Sequence, residues 1–292
     1  MAEVLTSDNT LTDWEDSLDK ESSILGNLIY VELVVGVLAV AGGGIYYYLT
    51  DQMGWLIVGG VLLFFAVSHH IKTKENKTDM GRIKGGRRGE EFATRIFKEK
   101  LPDNCYILND LDVHDGQTSA QNDHVIVSPY GLFVIETKAY GGTLSGSADD
   151  DKWQQIKEYK GSKSKGRVTN PITQNAYHIK VLNRFIENNN LSFEPEDVHS
   201  YVAMVNKYMK LEIDGDTSMV DMVWKLPDKM KKKMRTEKYS PGEIAEFLKA
   251  LDITPPDSLY ETKKEEEEKM EEKKQATEDR GSEKKEYGDL SF

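Results

Sequence analysis

The chain is 292 residues long, 38% hydrophobic and 30% charged, with 50 acidic against 38 basic side chains and a formal net charge of -12. That length holds one medium-sized domain with attachments. The single cysteine, Cys105, excludes an intrachain disulfide framework and a zinc site of the usual two to four thiolates.

Charge is spread unevenly. Residues 1–27 carry seven acids (Glu3, Asp8, Asp13, Glu15, Asp16, Asp19, Glu21) and one base, Lys20, while residues 260–292 carry twelve acids and eight bases. The acidic balance therefore reports on the two ends and does not argue against a nucleic-acid partner. Lys72 to Arg88 holds seven bases against Glu75 and Asp79 and reads as the one clear basic cluster.

From Leu28 to Leu49 the sequence runs LIYVELVVGVLAVAGGGIYYYL, with Glu32 as its one charge. At about 1.5 Å per residue such a helix spans a hydrocarbon core of roughly 30 Å. Thr50, Asp51 and Gln52 interrupt, and Met53 to Ser68 forms a second, shorter apolar run. Together they predict a transmembrane hairpin, with Tyr46, Tyr47, Tyr48 and Trp55 at the headgroup level of the connecting end. The acidic lead-in speaks against a signal peptide. The Lys/Arg excess after the second run places the soluble domain, and with it both termini, on the cytoplasmic side.

Gly85-Gly86-Arg87-Arg88-Gly89 reads as a flexible basic lead-in, followed by a helix that carries Phe92, Ile96 and Phe97 and stops before Pro102. Short strands are expected at 106–108 and 111–113. The two best strand candidates are His124–Ser128 and Leu132–Lys138, joined by the turn signal Ser128-Pro129-Tyr130-Gly131. A strand at 143–145, a loop around Trp153, a mobile basic loop near Gly161, a helix opened by Asn170-Pro171, a strand at 198–205 and a helix at 241–250 complete the pattern. The fold class is α/β, a mixed central sheet flanked by helices, preceded by the membrane hairpin. The boundaries expected are an acidic N-terminal tail (1–27), the hairpin (28–70), a basic linker (71–84), the α/β domain (85–215), a helical extension (216–259) and a charged tail (260–292). That tail is either a solvated helix or disordered.

The chemistry centres on Asp123, Glu136 and Lys138. On a strand, Glu136 and Lys138 project to one face while Thr137 points away. If Pro129 and Tyr130 form a two-residue turn with Ser128 opposite Gly131, Asp123 lies across from Glu136; a bulge at Gly131 would break that register. Adjacent carboxylates favour a cation between them, and oxygen ligands suit Mg²⁺ or Mn²⁺. A lysine beside such an ion orients a water or faces a phosphate. The competing reading is a surface salt bridge at a strand end.

The motif D-H-h-h-h-S-x-x-G-h-h-h-h-E-T-K (h apolar) at 123–138, with Gly89-Glu90 before it and Gly141-Gly142, Trp153, Asn170-Pro171 and Gln174 after it, resembles the NERD (nuclease-related) domain over roughly residues 84–190. That family is similar to the PD-(D/E)XK nucleases. The resemblance implies Asp123 and Glu136 as metal ligands, Lys138 as the water-positioning or phosphate-facing amine and Glu90 as an auxiliary acid. Asn122 departs from it, standing where an apolar residue is usual. Gln174 and His178, one helical turn apart, could face the cleft or be an ordinary polar pair. His124 is expected on the opposite face in a buried hydrogen-bonded role, and Trp153 in packing. Arg87 and Arg88 could meet phosphate or anionic lipid.

The expected activity is membrane-anchored, Mg²⁺-dependent hydrolysis of DNA, or else RNA. The alternative is a non-catalytic membrane scaffold that binds nucleic acid or protein, with the charged C-terminal tail, or its last residues 288–292, recruiting a partner. No G-x-S-x-G nucleophile elbow or G-x-x-x-x-G-K-[ST] phosphate loop is present.

Overall fold

The computed structural model describes residues 1–6, 10–50 and 54–260. They divide into a helical unit within Asp8–Phe92 and a sheet unit made of Met1–Ser7 and the residues from Ala93 onward. The charged segment 261–292, the connection 51–53 and the side chain of Trp55 lie outside the described residues.

The helical unit is built from two long helices, α1 (Thr10–Thr50) and α2 (Gly54–Lys100). They run antiparallel. A Cβ on Gly59 would stand 2.5 Å from Val40 Cγ2, and one on Gly36 would stand 3.2 Å from Leu63. Glycine at these points lets the helix backbones approach closely. His69 Nδ1 meets Glu32 Oε2 at 2.9 Å, so the one charge of the first apolar run is paired between helices.

Two expectations are corrected here. The acidic segment is not a free tail, because it is helical from Thr10 and its acids meet the basic residues of α2. Glu15 pairs with Lys84 and Arg87, each at 3.2 Å, and Glu21 pairs with Lys72 and accepts from Asn76 Nδ2 at 3.1 Å. The basic linker and the glycine-rich lead-in are likewise helical, continuous within α2. Each interior glycine costs about 1 kcal/mol of helix propensity. Facing contacts along α1 offset it, as tertiary context commonly does.

The sheet unit holds a six-stranded mixed sheet, in the order β1 (Glu3–Thr6), β2 (Tyr106–His114), β3 (Ser119–Ser128), β4 (Gly131–Lys138), β8 (Val198–Met204), β10 (Val220–Met222). β2, β3 and β4 form an antiparallel meander, whereas β8 runs parallel to β4. A parallel pair needs a long crossover. Here the crossover contains the helix α3 (Pro171–Asn188) and three strands of a second sheet, order β7 (Ser162–Thr169), β6 (Lys152–Tyr159), β5 (Thr143–Ser147), β9 (Lys210–Asp214), whose fourth strand, β9, follows β8 in the chain. The loop expected around Trp153 is thus strand β6, and the basic loop expected near Gly161 is a tight turn at Lys160–Gly161 leading into strand β7. Trp153 is fully buried, with its Nε1 donating to Ser147 O at 2.8 Å, which gives it the expected packing role.

α3 begins as its sequence predicts. Asn170 caps it by accepting from Ile172 N at 2.9 Å, and donates to Ala148 O and Asp150 O, so one buried amide ties the small sheet to the helix start. α4 (Leu226–Lys231) and α5 (Pro241–Ala250) follow, the latter with a Ser240–Glu243 capping box. The main core joins Val125, Val127, Leu132 and Val134 of the sheet to Val181, Leu182 and Phe185 of α3 and Phe247 and Leu248 of α5.

Candidate active site

The β3–β4 ribbon sets the site. Ser128 stands opposite Gly131 across the two-residue turn, and the ladder runs through Ile126↔Phe133 to His124↔Ile135 with no slip. Ser128 Oγ pins the turn by donating to Gly131 O at 2.9 Å. Gly131 is required: its φ is +128°, and a Cβ there would stand 2.4 Å from Asp197 O. The register condition is therefore met. Asp123 lies one step beyond the last pair, where its Oδ2 accepts from Thr137 N at 2.6 Å.

Glu136 is 1% exposed at the end of β4, and Lys138, two residues on, turns its Nζ onto Glu136 Oε1. From α3, His178 brings Nδ1 to 3.3 Å from Glu136 Oε2, a polar contact without hydrogen-bond alignment. Both atoms are buried and without a hydrogen-bond partner among the described residues. Burial pushes the Glu136 carboxyl up, but His178 and Lys138 outweigh it and hold the group below the ordinary glutamate value. Burial pulls Lys138 down, but the charges of Glu136 first and Asp123 next override it, so the ammonium is held well above the ordinary lysine value. Asp123, Glu136 and Lys138 are thus within electrostatic reach of one another, with His178 alongside.

The remaining candidates are carried by α2, α3 and β3. Gln174 is half-buried one turn before His178 on α3. Glu90 sits half-buried on α2 in the helical unit. Arg88 is exposed there, and Arg87 is occupied by Glu15 at 3.2 Å and Glu91 at 3.9 Å. His124 faces away, as expected: Nδ1 meets Asn109 Oδ1 at 2.8 Å and Nε2 meets Thr137 Oγ1 at 3.0 Å. Burial pushes its imidazole down to about 4, with the charges of Glu136 and Asp110 opposing, so it is neutral at pH 7. Asn122, the departure from the family pattern, is absorbed inside the sheet by donating to Leu111 O and Ala120 O.

Two site residues escaped the sequence reading. Tyr140 continues the Glu136–Lys138 alternation by one more step, and its hydroxyl donates to Thr169 O at 3.1 Å. Burial raises that hydroxyl's pKa, Lys138 opposes, and Glu136 and Asp123 add to the rise. The period of two was the available signal. Asn175 is buried under the sheet and donates to Val134 O, Ser200 Oγ and Tyr201 O, fixing the height at which α3 delivers His178. Nothing in its local sequence marks it.

Among the described residues no group of three or more His, Cys, Asp and Glu is arranged to hold a metal ion. The donor set still suits Mg²⁺, which keeps several waters and takes only one or two carboxylates. The buried Glu136 Oε2, without a hydrogen bond, is an oxygen such an ion would satisfy.

Residues 85–205 match the family model of the nuclease-related domain, NERD. An uncharacterised protein of Bacillus anthracis is 35% identical over 104 residues, which is 35% of this chain and 47% of that protein. The chain thus spans about half the length of the curated relative it matches. No solved structure matches.

Proposed function

From a nuclease-related domain at residues 85–205, we propose that this protein is a membrane-anchored, Mg²⁺-dependent nuclease that hydrolyses phosphodiester bonds of DNA, with RNA as the second substrate to compare. The observation that carries the reading is the gathering of Asp123, Glu136 and Lys138 at one end of the β3–β4 ribbon, with His178 against Glu136. Asp123 and Glu136 would hold the ion. When bound, Mg²⁺ supplies a water of lowered pKa and neutralises phosphate charge. Lys138, flanked by both carboxylates, orients the attacking water or faces a phosphate oxygen. His178 and the Thr137 N–H keep the two carboxylates in their orientations. Glu90 is assigned the auxiliary acid on the family resemblance alone.

Anchoring rests on α1, whose segment Asp13–Thr50 is, among the described residues, the one helix long and apolar enough to cross a membrane. Leu28, Val31, Leu38, Ile45 and, on α2, Ile57, Phe64 and Val67 are exposed. Apolar surface of that extent is costly in water and normal in lipid. The pairing of β1 with β2 supports a second span. β1 pairs with β2 through Glu3↔Tyr106 and Val4↔Ile107, so residues 3–6 and 106–108 share one side of any bilayer. A chain that crosses through α1 then has to return through α2. Protease treatment of sealed inverted vesicles tests this, and cleavage of only one of the two termini would refute it.

The full chain in detergent is expected to cut DNA with Mg²⁺ and to lose about a hundredfold or more of that activity in Asp123→Ala. Equal cutting by the two would overturn the assignment. Tight, salt-sensitive DNA binding without Mg²⁺-dependent turnover would favour a non-catalytic scaffold.

A further inference from the structure

Four of the seven bases between Lys72 and Arg88 are paired within the helical unit: Lys72, Lys84 and Arg87 with acids of α1, and Arg82 with Asp79. A second basic segment, expected from the sequence as a mobile loop near Gly161, is a strand hairpin in the structure. Between Lys152 and Arg167 stand Lys152, Lys157, Lys160, Lys163, Lys165 and Arg167 against the single acid Glu158. These residues form the β6–β7 hairpin at the free edge of the small sheet.

Strand alternation sorts them. Lys163, Lys165 and Arg167 pair with Glu158, Ile156 and Gln154 and share one face, while Trp153 and Val168 turn the other face to the core. All three cations are exposed. Lys163 meets Glu158 at 2.7 Å, but Lys165 and Arg167 make no ion pair with any described residue. The row leads to the site: β7 ends at Thr169, whose carbonyl takes the hydroxyl of Tyr140, two residues from Lys138.

We propose that Lys163, Lys165 and Arg167 on the outer face of the β6–β7 hairpin form the surface that holds the phosphodiester backbone of the nucleic acid presented to Asp123, Glu136 and Lys138. The proposal rests on the nuclease reading for its substrate class. Alternate residues on a strand repeat at about 6.6–6.8 Å, so the row offers cations at regular intervals along an extended polyanion. The opposite edge of the same face carries Lys210, Glu212 and Asp214 on β9, a net negative set that favours a polyanion on the β7 side. Lysines on an edge strand also discourage sheet-to-sheet association. That role predicts a change in self-association and none in DNA binding.

The test is binding of short single-stranded and duplex DNA by the full chain at several salt concentrations. Wild type, Lys165→Gln/Arg167→Gln and the control Lys72→Gln/Lys84→Gln are compared, all in an Asp123→Ala background that prevents cutting. The arm variant is expected to bind about tenfold or more weakly, with a log–log salt slope shallower by about 2, and the control to match wild type. Lys163→Gln added to the arm variant should lower the slope further. An arm variant that binds like wild type overturns the proposal, as do self-association of that variant with DNA binding unchanged, loss of binding confined to anionic vesicles, and a wild type that does not bind DNA. The same variants with Asp123 restored separate the two readings. Mg²⁺-dependent cutting with normal binding by the arm variant removes the surface and leaves the nuclease. Arm-dependent binding without any cutting by wild type does the reverse.

Discussion

Glu136 and His124 are both buried and ionisable and lie on adjacent strands of one ribbon, yet they are treated in opposite ways. His124 meets only the neutral groups of Asn109 and Thr137, with the edge of Phe97 at a ring-centroid distance of 5.5 Å, and burial leaves it uncharged. Glu136 meets Lys138 and His178 and keeps its charge. Burial neutralises a group when the opposite charges within reach are too weakly coupled to offset it, as Glu136 and Asp110 are for His124. Strand alternation therefore gives one ribbon a structural face and a chemical face.

Four substitutions break or sharpen that contrast. On the chemical face, Lys138→Met leaves Glu136 buried without its ammonium and should cost about 3–5 kcal/mol in urea unfolding, most of it recovered by adding Glu136→Gln. A cost below 1 kcal/mol would mean the pair is effectively solvated. On the structural face, His124→Ala leaves Asn109 and Thr137 without their partner and opens a void beside Phe97. A loss of about 2–4 kcal/mol is expected, with cutting unchanged once the folded fraction is corrected for.

Asp115 tests the anchoring of α3. The backbone N–H groups of Thr118 and Gln117 hold its carboxyl down to about 2, burial opposing, with Arg184 assisting. A carboxyl depressed in the folded state gives a contribution that is present above its unfolded value near 3.8 and lost as pH falls toward 2. Asp115→Asn should flatten the stability curve in that window and leave it unchanged at neutral pH relative to pH 5. The smallest effect is expected at the charged stem of the helical unit. Lys72→Ala removes an exposed pair with Glu21 and should cost less than about 1 kcal/mol, more at low salt than at high.

The parts legible in the sequence were those with local signals. The Ser128–Gly131 turn fixed the register that brings Asp123 beside Glu136 and Lys138, and Asn170-Pro171 marked the start of α3. Elements formed by distant partners were not legible. β1 has four residues and pairs with a strand about a hundred positions away. α2 runs through Gly81, Gly85, Gly86 and Gly89, which locally argue for a break, because α1 supports it. β7, rich in lysine and serine, has little strand propensity of its own and is ordered by pairing with β6. In the site, His178 was visible as a candidate, but its contact with Glu136 depends on Asn175, whose three hydrogen bonds arise only after the chain has folded.

The central claim is that Asp123 and Glu136 together hold a divalent ion. Mn²⁺ binding to the full chain, followed by its electron paramagnetic resonance signal, addresses it without reference to substrate. Wild type should bind one ion more than either Asp123→Ala or Glu136→Ala, and Mg²⁺ should displace that ion. Identical Mn²⁺ titrations for wild type and both variants would contradict the account.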